Sequence, residues 1–158
     1  MSISIALRKF INEYCDKINN NEFDDVYADW TGNVSELTFV LLQSGIDPLD
    51  TLGYVPDYYA NNLTIIRDVK LNDEIVEVGE HAFTKCINLE HLFISSSVEE
   101  IGAWCFYGCE KLKEATYDGT IEKLKQVHMH RLSFEFDVKF ICTDGQVTFM
   151  DLLKSWLK

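Results

Sequence analysis

The feature that most constrains this chain is an internal repeat of 23 residues. Residues 75–94 align without a gap on residues 98–117, and about nine of these positions agree in residue type. The matched positions are Val78 with Ile101, Gly79 with Gly102, Ala82 with Cys105, Phe83 with Phe106, Cys86 with Cys109, Leu89 with Leu112 and Leu92 with Ala115. A period of this length predicts stacked units, because one unit cannot bury its own apolar side.

Each repeat unit is predicted to contain one short strand. Leu89, Leu92 and Ile94 follow the spacing L-x-x-L-x-I, in which inward and outward residues alternate as in a strand. The same register predicts further inward strand positions at Ile66, Val69, Leu71, Val138 and Phe140.

The rest of each unit returns the chain to the start of the next strand. Gly79 and Gly102 mark a turn where the backbone needs conformational freedom. Residues 82–83 and 105–106 follow this turn, and we expect them to form a short helical turn that covers the strand.

The segment from Val98 to Leu112, VEEIGAWCFYGCEKL, resembles the BspA-like leucine-rich repeat, whose units read roughly V-x-x-I-G-x-x-A-F-x-x-C-x-x-L. The segments YDGT at 117–120 and CTDG at 142–145 are similar to the closing segment of that family. The resemblance covers about residues 63–147 and includes very few units. The resemblance implies a parallel stack of strands and a protein without catalytic activity. It also implies that this chain is a short member of the family without a signal peptide, of the phage or bacterial type.

The segments on either side of the repeats are predicted to be helical. Ser4 can cap a helix whose apolar stripe runs from Leu7 to Ile18, and Asn33 with Glu36 is a capping-box pattern. Thr148 with Asp151 predicts a last helix. We therefore expect an α+β fold: a short leucine-rich-repeat solenoid at 61–147, an N-terminal helical cap at 1–60 and a C-terminal capping helix at 148–158.

No motif in the sequence predicts catalysis or a cofactor. Patterns typical of nucleophilic hydrolases, phosphate-binding loops and zinc proteases are missing. The spacing of Cys105 and Cys109 is not that of a zinc site, and Cys86 and Cys109 are expected to be buried. His128-x-His130 could hold a metal only with further ligands, so we predict no metal, no cofactor and no enzyme activity.

A binding role is instead suggested by the outward positions of the strands. On leucine-rich repeats these variable positions often form the binding face. They are Arg67, Lys70, Glu90, His91, Phe93, Lys113, Glu114 and Thr116 in this chain. We therefore expect a non-catalytic module that binds another protein through this face, with Phe93 as an aromatic anchor unless a flanking segment covers it.

The charge of the chain leaves an alternative open. It has 26 acidic and 14 basic residues, and residues 1–60 alone contain ten acids against three bases. This balance disfavours direct binding to nucleic acid or to an anionic membrane. An acidic phage or mobile-element protein could instead mimic nucleic acid and inhibit a host nucleic-acid-binding protein, using Asp24, Asp25, Asp29 and Glu36.

Location and assembly are less constrained. No apolar run approaches the roughly 18 residues that span a bilayer, and the order of charges at the N-terminus is wrong for a secretory signal. We expect a protein of the bacterial or host-cell cytoplasm. Homo-oligomerisation stays open, since exposed strand edges or aromatic side chains could pair two copies.

Overall fold

The structure, a computed structural model, describes residues 3–135 and 137–157. A group of helices precedes a parallel solenoid, and a hairpin and one helix follow it. The helices are α1 (Ile5–Glu13), α2 (Cys15–Asn19), α3 (Phe23–Asp29), α4 (Val34–Gln43), a 3-10 helix at Pro48–Asp50, α5 (Ile121–Leu124) and α6 (Phe149–Trp156).

Local signals explain where most of these helices begin. Ser4 Oγ accepts a hydrogen bond from the Leu7 N–H, and Thr148 Oγ1 accepts one from the Asp151 N–H. The Asn33 side chain accepts from the amides that open α4, and Gly45, with a φ of +79°, follows the end of that helix. The predicted helical stripe to residue 18 is interrupted at Tyr14, where α1 ends and α2 begins.

Two parallel sheets form the two sides of the solenoid. Sheet A contains the two-residue strands β1 (Tyr54–Val55), β3 (Glu77–Val78), β5 (Glu100–Ile101) and β7 (His128–Met129). Sheet B contains the longer strands β2 (Asp68–Leu71), β4 (His91–Ser95), β6 (Glu114–Asp118) and β8 (Lys139–Cys142), with β9 (Gly145–Thr148) antiparallel to β8 at its end.

The pairing of the strands follows the 23-residue period. Val69 pairs with Leu92, and Leu92 pairs with Ala115, in sheet B. Ala115 then pairs with Phe140, so the last coil is longer than the repeat. All four side chains are buried, and they form one inward row. The fold is therefore the expected short leucine-rich-repeat solenoid of α+β class, with helices at both ends.

The core between the two sheets is lined by repeated aromatic and thiol side chains. The rings of Phe83, Phe106 and Phe134 stack with centroid distances of 5.3 Å and 5.0 Å. The buried thiols of Cys86 and Cys109 each donate to a backbone carbonyl, at 3.2 Å, from the preceding coil. Equivalent residues of neighbouring coils are thus in direct contact, which is why the period is visible in the sequence.

Two details differ from the sequence interpretation. Residues 82–83 and 105–106 form no helical turn: Ala82, Phe83 and Cys105 lie in turns, and Phe106 forms an isolated parallel bridge with Phe134. The Phe83 N–H donates to Cys105 O at 2.8 Å, and the Phe106 N–H donates to Ser133 O at 2.7 Å, both in the next coil. Strand β1 pairs with β3 at Tyr54 and Val55, before residue 61. A coil in register with the repeats therefore begins inside the segment that we assigned to the helical cap.

Candidate partner-binding face

Sheet B presents one regular outward face. Inward residues of β2, β4 and β6 are buried, while the residues between them are exposed or half-buried. The strand pairing places Lys70 beside Phe93, and Phe93 beside Thr116. His91 lies next to Asp68 in the same way. The side chains of these rows are neighbours across strands.

Most of the predicted face residues lie around one shallow depression of about 800 Å³ on this sheet. Those that line it are Lys70, Glu90, His91, Phe93, Lys113, Glu114 and Thr116. Arg67 lies outside it and lines a neighbouring cleft. The structure therefore brings seven of the eight predicted residues together.

The depression combines one aromatic ring with paired charges. The ring of Phe93 is half-buried, and the Lys70 Nζ lies 5.9 Å from its centroid. His91 Nδ1 lies 2.6 Å from Asp68 Oδ1, and Lys139 Nζ lies 3.1 Å from Glu114 Oε1. These exposed pairs add little to stability, and they fix the charge pattern around Phe93.

The residues of the acidic alternative lie on the N-terminal helices. Asp24 and Asp25 occupy the first turn of α3, and Asp25 forms an ion pair with Lys17 at 2.9 Å. Asp29 accepts a hydrogen bond from the Tyr14 hydroxyl at 2.7 Å, and Glu36 accepts one from the Ser4 N–H at 2.7 Å. Three of the four carboxylates therefore have a partner within the helical segment.

The three buried repeat thiols, Cys86, Cys105 and Cys109, lie in the core and not on this face. Burial raises the pKa of each, in the case of Cys109 to about 12, so they are neutral thiols at physiological pH. His128 and His130 are exposed at β7 and just after it. Among residues 3–135 and 137–157, no group of three or more potential ligands could hold a metal ion.

A corner of the solenoid that the sequence did not single out carries stacked aromatic rings. Tyr58 and His81 stack at 5.0 Å, and His81 and Trp104 stack at 6.1 Å, with nearly parallel planes. All three residues have φ near +60°, a conformation that is costly for bulky side chains. Contact between the rings of successive coils offsets part of that cost.

A second cavity, of about 330 Å³, lies where the helical segment meets the first coil. Leu42, Asp47 and Leu49 line it on the helical side, and residues 65–70 line it on the side of β2. The sequence could not reveal it, because the cavity depends on where the 3-10 helix meets the solenoid.

None of the helices in the described part of the chain is long and apolar enough to cross a membrane.

Coils that repeat every 23 residues and stack their strands in parallel define the class of solenoid repeat proteins. In this chain the longer strands also carry the depression described above. Residues 42–138 match the family described as a BspA-type leucine-rich repeat region (6 copies). This match covers more than half of the chain. The chain belongs to the BspA-type leucine-rich repeat family. Comparison with curated proteins and with solved structures gave no match.

Proposed function

We propose that this protein is a non-catalytic binding module that recognises another protein through the outward face of sheet B. The observation that carries the proposal is the single depression lined by seven of the predicted residues, with Phe93 among them. A half-buried aromatic ring on a rigid sheet loses little conformational entropy on binding, and aromatic residues are enriched at interface hot spots. The leucine-rich repeats support a role in protein interaction.

The charges around Phe93 give this face its specificity in the proposal. Acidic and basic side chains alternate between neighbouring strands, so a partner needs the complementary pattern. A surface of mixed sign is a poor match for the uniform negative charge of nucleic acid. The proposed partner is therefore a protein, and the proposed location is the cytoplasm.

The proposal is tested by comparing variants in an affinity capture. The double variant Phe93→Ala and His91→Ala removes the aromatic anchor and the imidazole that contacts Asp68. The matched control, Glu77→Ala with Glu100→Ala, removes two exposed side chains of sheet A. We expect a partner captured by the wild-type protein to be kept by the control and lost by the face variant. Equal capture by all three proteins would contradict the proposal.

The acidic-inhibitor alternative makes a different prediction in the same assay. A mimic of nucleic acid would bind through the helical segment, and DNA or RNA would compete for its partner. It has weaker support, because Asp25, Asp29 and Glu36 already have partners in the helical segment. Capture that persists in the face variant and is abolished by excess nucleic acid would favour this alternative.

A further inference from the structure

A shallow groove of about 470 Å³ lies at the corner that carries the stacked rings of Tyr58, His81 and Trp104. The three rings line the groove, and so do other residues of the same three coils, namely Asn61, Asn62, Thr84, Lys85 and Tyr107. This corner groove shares no residue with the depression on sheet B, so it is a separate surface. Because it crosses three coils, its shape suits an extended ligand.

The backbone of the corner groove is held in an unusual conformation. Among the described residues, six residues other than glycine have a positive φ, and five of them line the groove. These five are Tyr58, Asn62, His81, Lys85 and Trp104, with φ between +56° and +65°. Such a conformation costs free energy in bulky residues, and residues of this kind cluster at binding sites. The stacked rings are already ordered, so they lose little further entropy when a ligand binds.

The corner groove offers hydrogen-bond donors that have no acceptor within the protein. The indole N–H groups of Trp30 and Trp156 each donate to a backbone carbonyl at 2.8 Å. The indole N–H of Trp104 has no acceptor among the described residues. The ammonium group of Lys85 and the two asparagine amides of the groove are equally without an acceptor in the described part of the chain. These groups are available to a ligand that brings acceptors.

The charge of the corner groove differs from that of the rest of the surface. The chain has 26 acidic residues, yet no carboxylate is among the described residues that line the groove. The depression on sheet B and the cavity beside β2 are both lined by carboxylates. A cationic ligand therefore finds no counter-charge in the groove. The ligand that complements it combines apolar surface with unpaired carbonyl groups.

A proline-rich segment in the polyproline II conformation has this chemistry. Proline has no backbone N–H, and the carbonyl groups of this helix make no internal hydrogen bonds. Three residues of the helix, one full turn, rise about 9 Å. Two spacings of a parallel stack of strands measure about 9.5 Å. Prolines three positions apart can therefore meet the rings of Tyr58 and Trp104, which lie two coils apart.

We propose that the corner groove binds a proline-rich segment of a partner protein in the polyproline II conformation. The prolines pack against the stacked rings, and carbonyl groups of the segment accept hydrogen bonds from Trp104 Nε1 and from the amides of Asn61 and Asn62. Aromatic grooves bind such segments in several families of interaction domain, because the helix is already extended and loses little entropy. The groove adds a second contact to the proposed protein-binding role and shares no residue with the sheet B face.

The test titrates blocked L-octaproline and its mirror image, D-octaproline, into the full chain. The two peptides have the same composition and acceptors and differ only in the hand of the helix. By isothermal calorimetry we expect L-octaproline to bind with a Kd below about 1 mM, and D-octaproline to bind at least roughly tenfold more weakly. In NMR spectra the indole N–H signal of Trp104 is expected to shift, while those of Trp30 and Trp156 stay in place. No binding of L-octaproline at about 1 mM, or equal binding of the two peptides, would overturn the proposal.

Two single variants locate the binding in the corner groove. Trp104→Phe keeps a ring and removes the indole N–H, so it is expected to weaken the binding of L-octaproline roughly five- to tenfold, the size of one hydrogen bond. Its matched control, Trp30→Phe, removes an indole N–H outside the groove and is expected to leave the affinity unchanged. Thermal unfolding of both variants shows that each is folded. Unchanged affinity in the folded Trp104→Phe variant would contradict the proposal.

A third variant separates this proposal from the one for the sheet B face. Phe93→Ala removes the anchor of that face, and it is expected to bind L-octaproline as the wild-type protein does. Tyr58→Asn removes the first ring of the stack with a residue that tolerates a positive φ, and it is expected to weaken the binding. If the chain is instead a dimer that Tyr58→Asn dissociates, a second copy occupies the groove and the proposal is wrong. Binding of cellohexaose in place of L-octaproline would indicate an oligosaccharide site and would also overturn it.

Discussion

The stacked phenylalanine rings of the core allow a quantitative test of how the coils are held together. Phe83 is fully buried. The centroid of its ring lies 5.8 Å from that of Tyr59 in the preceding coil and 5.3 Å from that of Phe106 in the following coil. Replacing Phe83 with Ala would remove the middle ring of this stack. The neighbouring coils are tied by backbone hydrogen bonds and cannot close the space that is left.

The expected loss in the free energy of unfolding is about 3–5 kcal/mol, because a buried Phe→Ala change costs both transfer free energy and a cavity. For a chain of 158 residues this corresponds to a fall in Tm of roughly 6–20 °C. Thermal and urea unfolding followed by circular dichroism measure both quantities. Phe83→Leu retains most of the apolar volume and is expected to cost much less.

Phe93→Ala is the matched control for this prediction. Phe93 belongs to β4, the strand that follows Phe83 along the chain, but lies half-buried on the outward face of sheet B. Its truncation leaves no enclosed cavity, so it is expected to cost clearly less than the truncation of Phe83. Equal losses for the two variants, or a loss below about 1 kcal/mol for Phe83→Ala, would refute the reasoning that stacked rings join the coils.

Three further predictions concern thiols, tyrosines and a helix cap. At pH 8, DTNB is expected to modify the exposed Cys15 at once. It is expected to modify the three buried repeat thiols only after unfolding, because burial raises their pKa. Immediate reaction of those thiols in the folded chain would contradict their burial. Burial also raises the pKa of Tyr27 and Tyr59, so both stay neutral in the folded chain while the unfolded chain ionises above about pH 10. Urea unfolding at pH 9 and pH 11 is therefore expected to show lower stability at pH 11, and no decrease would count against the burial of these hydroxyls. Asn33→Ala removes the cap of α4 and is expected to cost about 1 kcal/mol, whereas Asn33→Asp should retain most of it.

The sequence revealed the elements whose signals are local or repeated. The caps of α1, α4 and α6 could be predicted because one side chain and a nearby amide suffice to form each of them. The register of sheet B could be predicted because the 23-residue shift places equivalent residues in contact. The rows of the outward face followed from the same shift.

The first coil was harder to recognise because the large and the small residue at two adjacent core positions are swapped relative to the next coil. A shift of 23 residues places Tyr59 at the position of Ala82, and Ala60 at the position of Phe83. All four are buried, so the coil stays filled while the sequence pattern disappears. Residues 53–60 were therefore included in the predicted helical cap although they contain β1.

Other elements gave no periodic signal. The strands of sheet A are two residues long, which is too short to show alternation. Helix α3 was missed because its sequence, FDDVYAD, is short and interrupted by acids. The cleft beside β2 arises from the contact of the 3-10 helix with the solenoid, a tertiary arrangement that no local pattern encodes.

The most direct test of the account is the environment of the Phe93 ring in solution, because the fold and the proposed face both depend on its register. In an isotope-labelled NOESY spectrum, the ring protons of Phe93 are expected to show contacts to the side chain of Lys70 and to the methyl group of Thr116. Contacts to Val69 and Ala115 would instead indicate a slip of one residue. That result would turn Phe93 into the core and contradict both the register and the face.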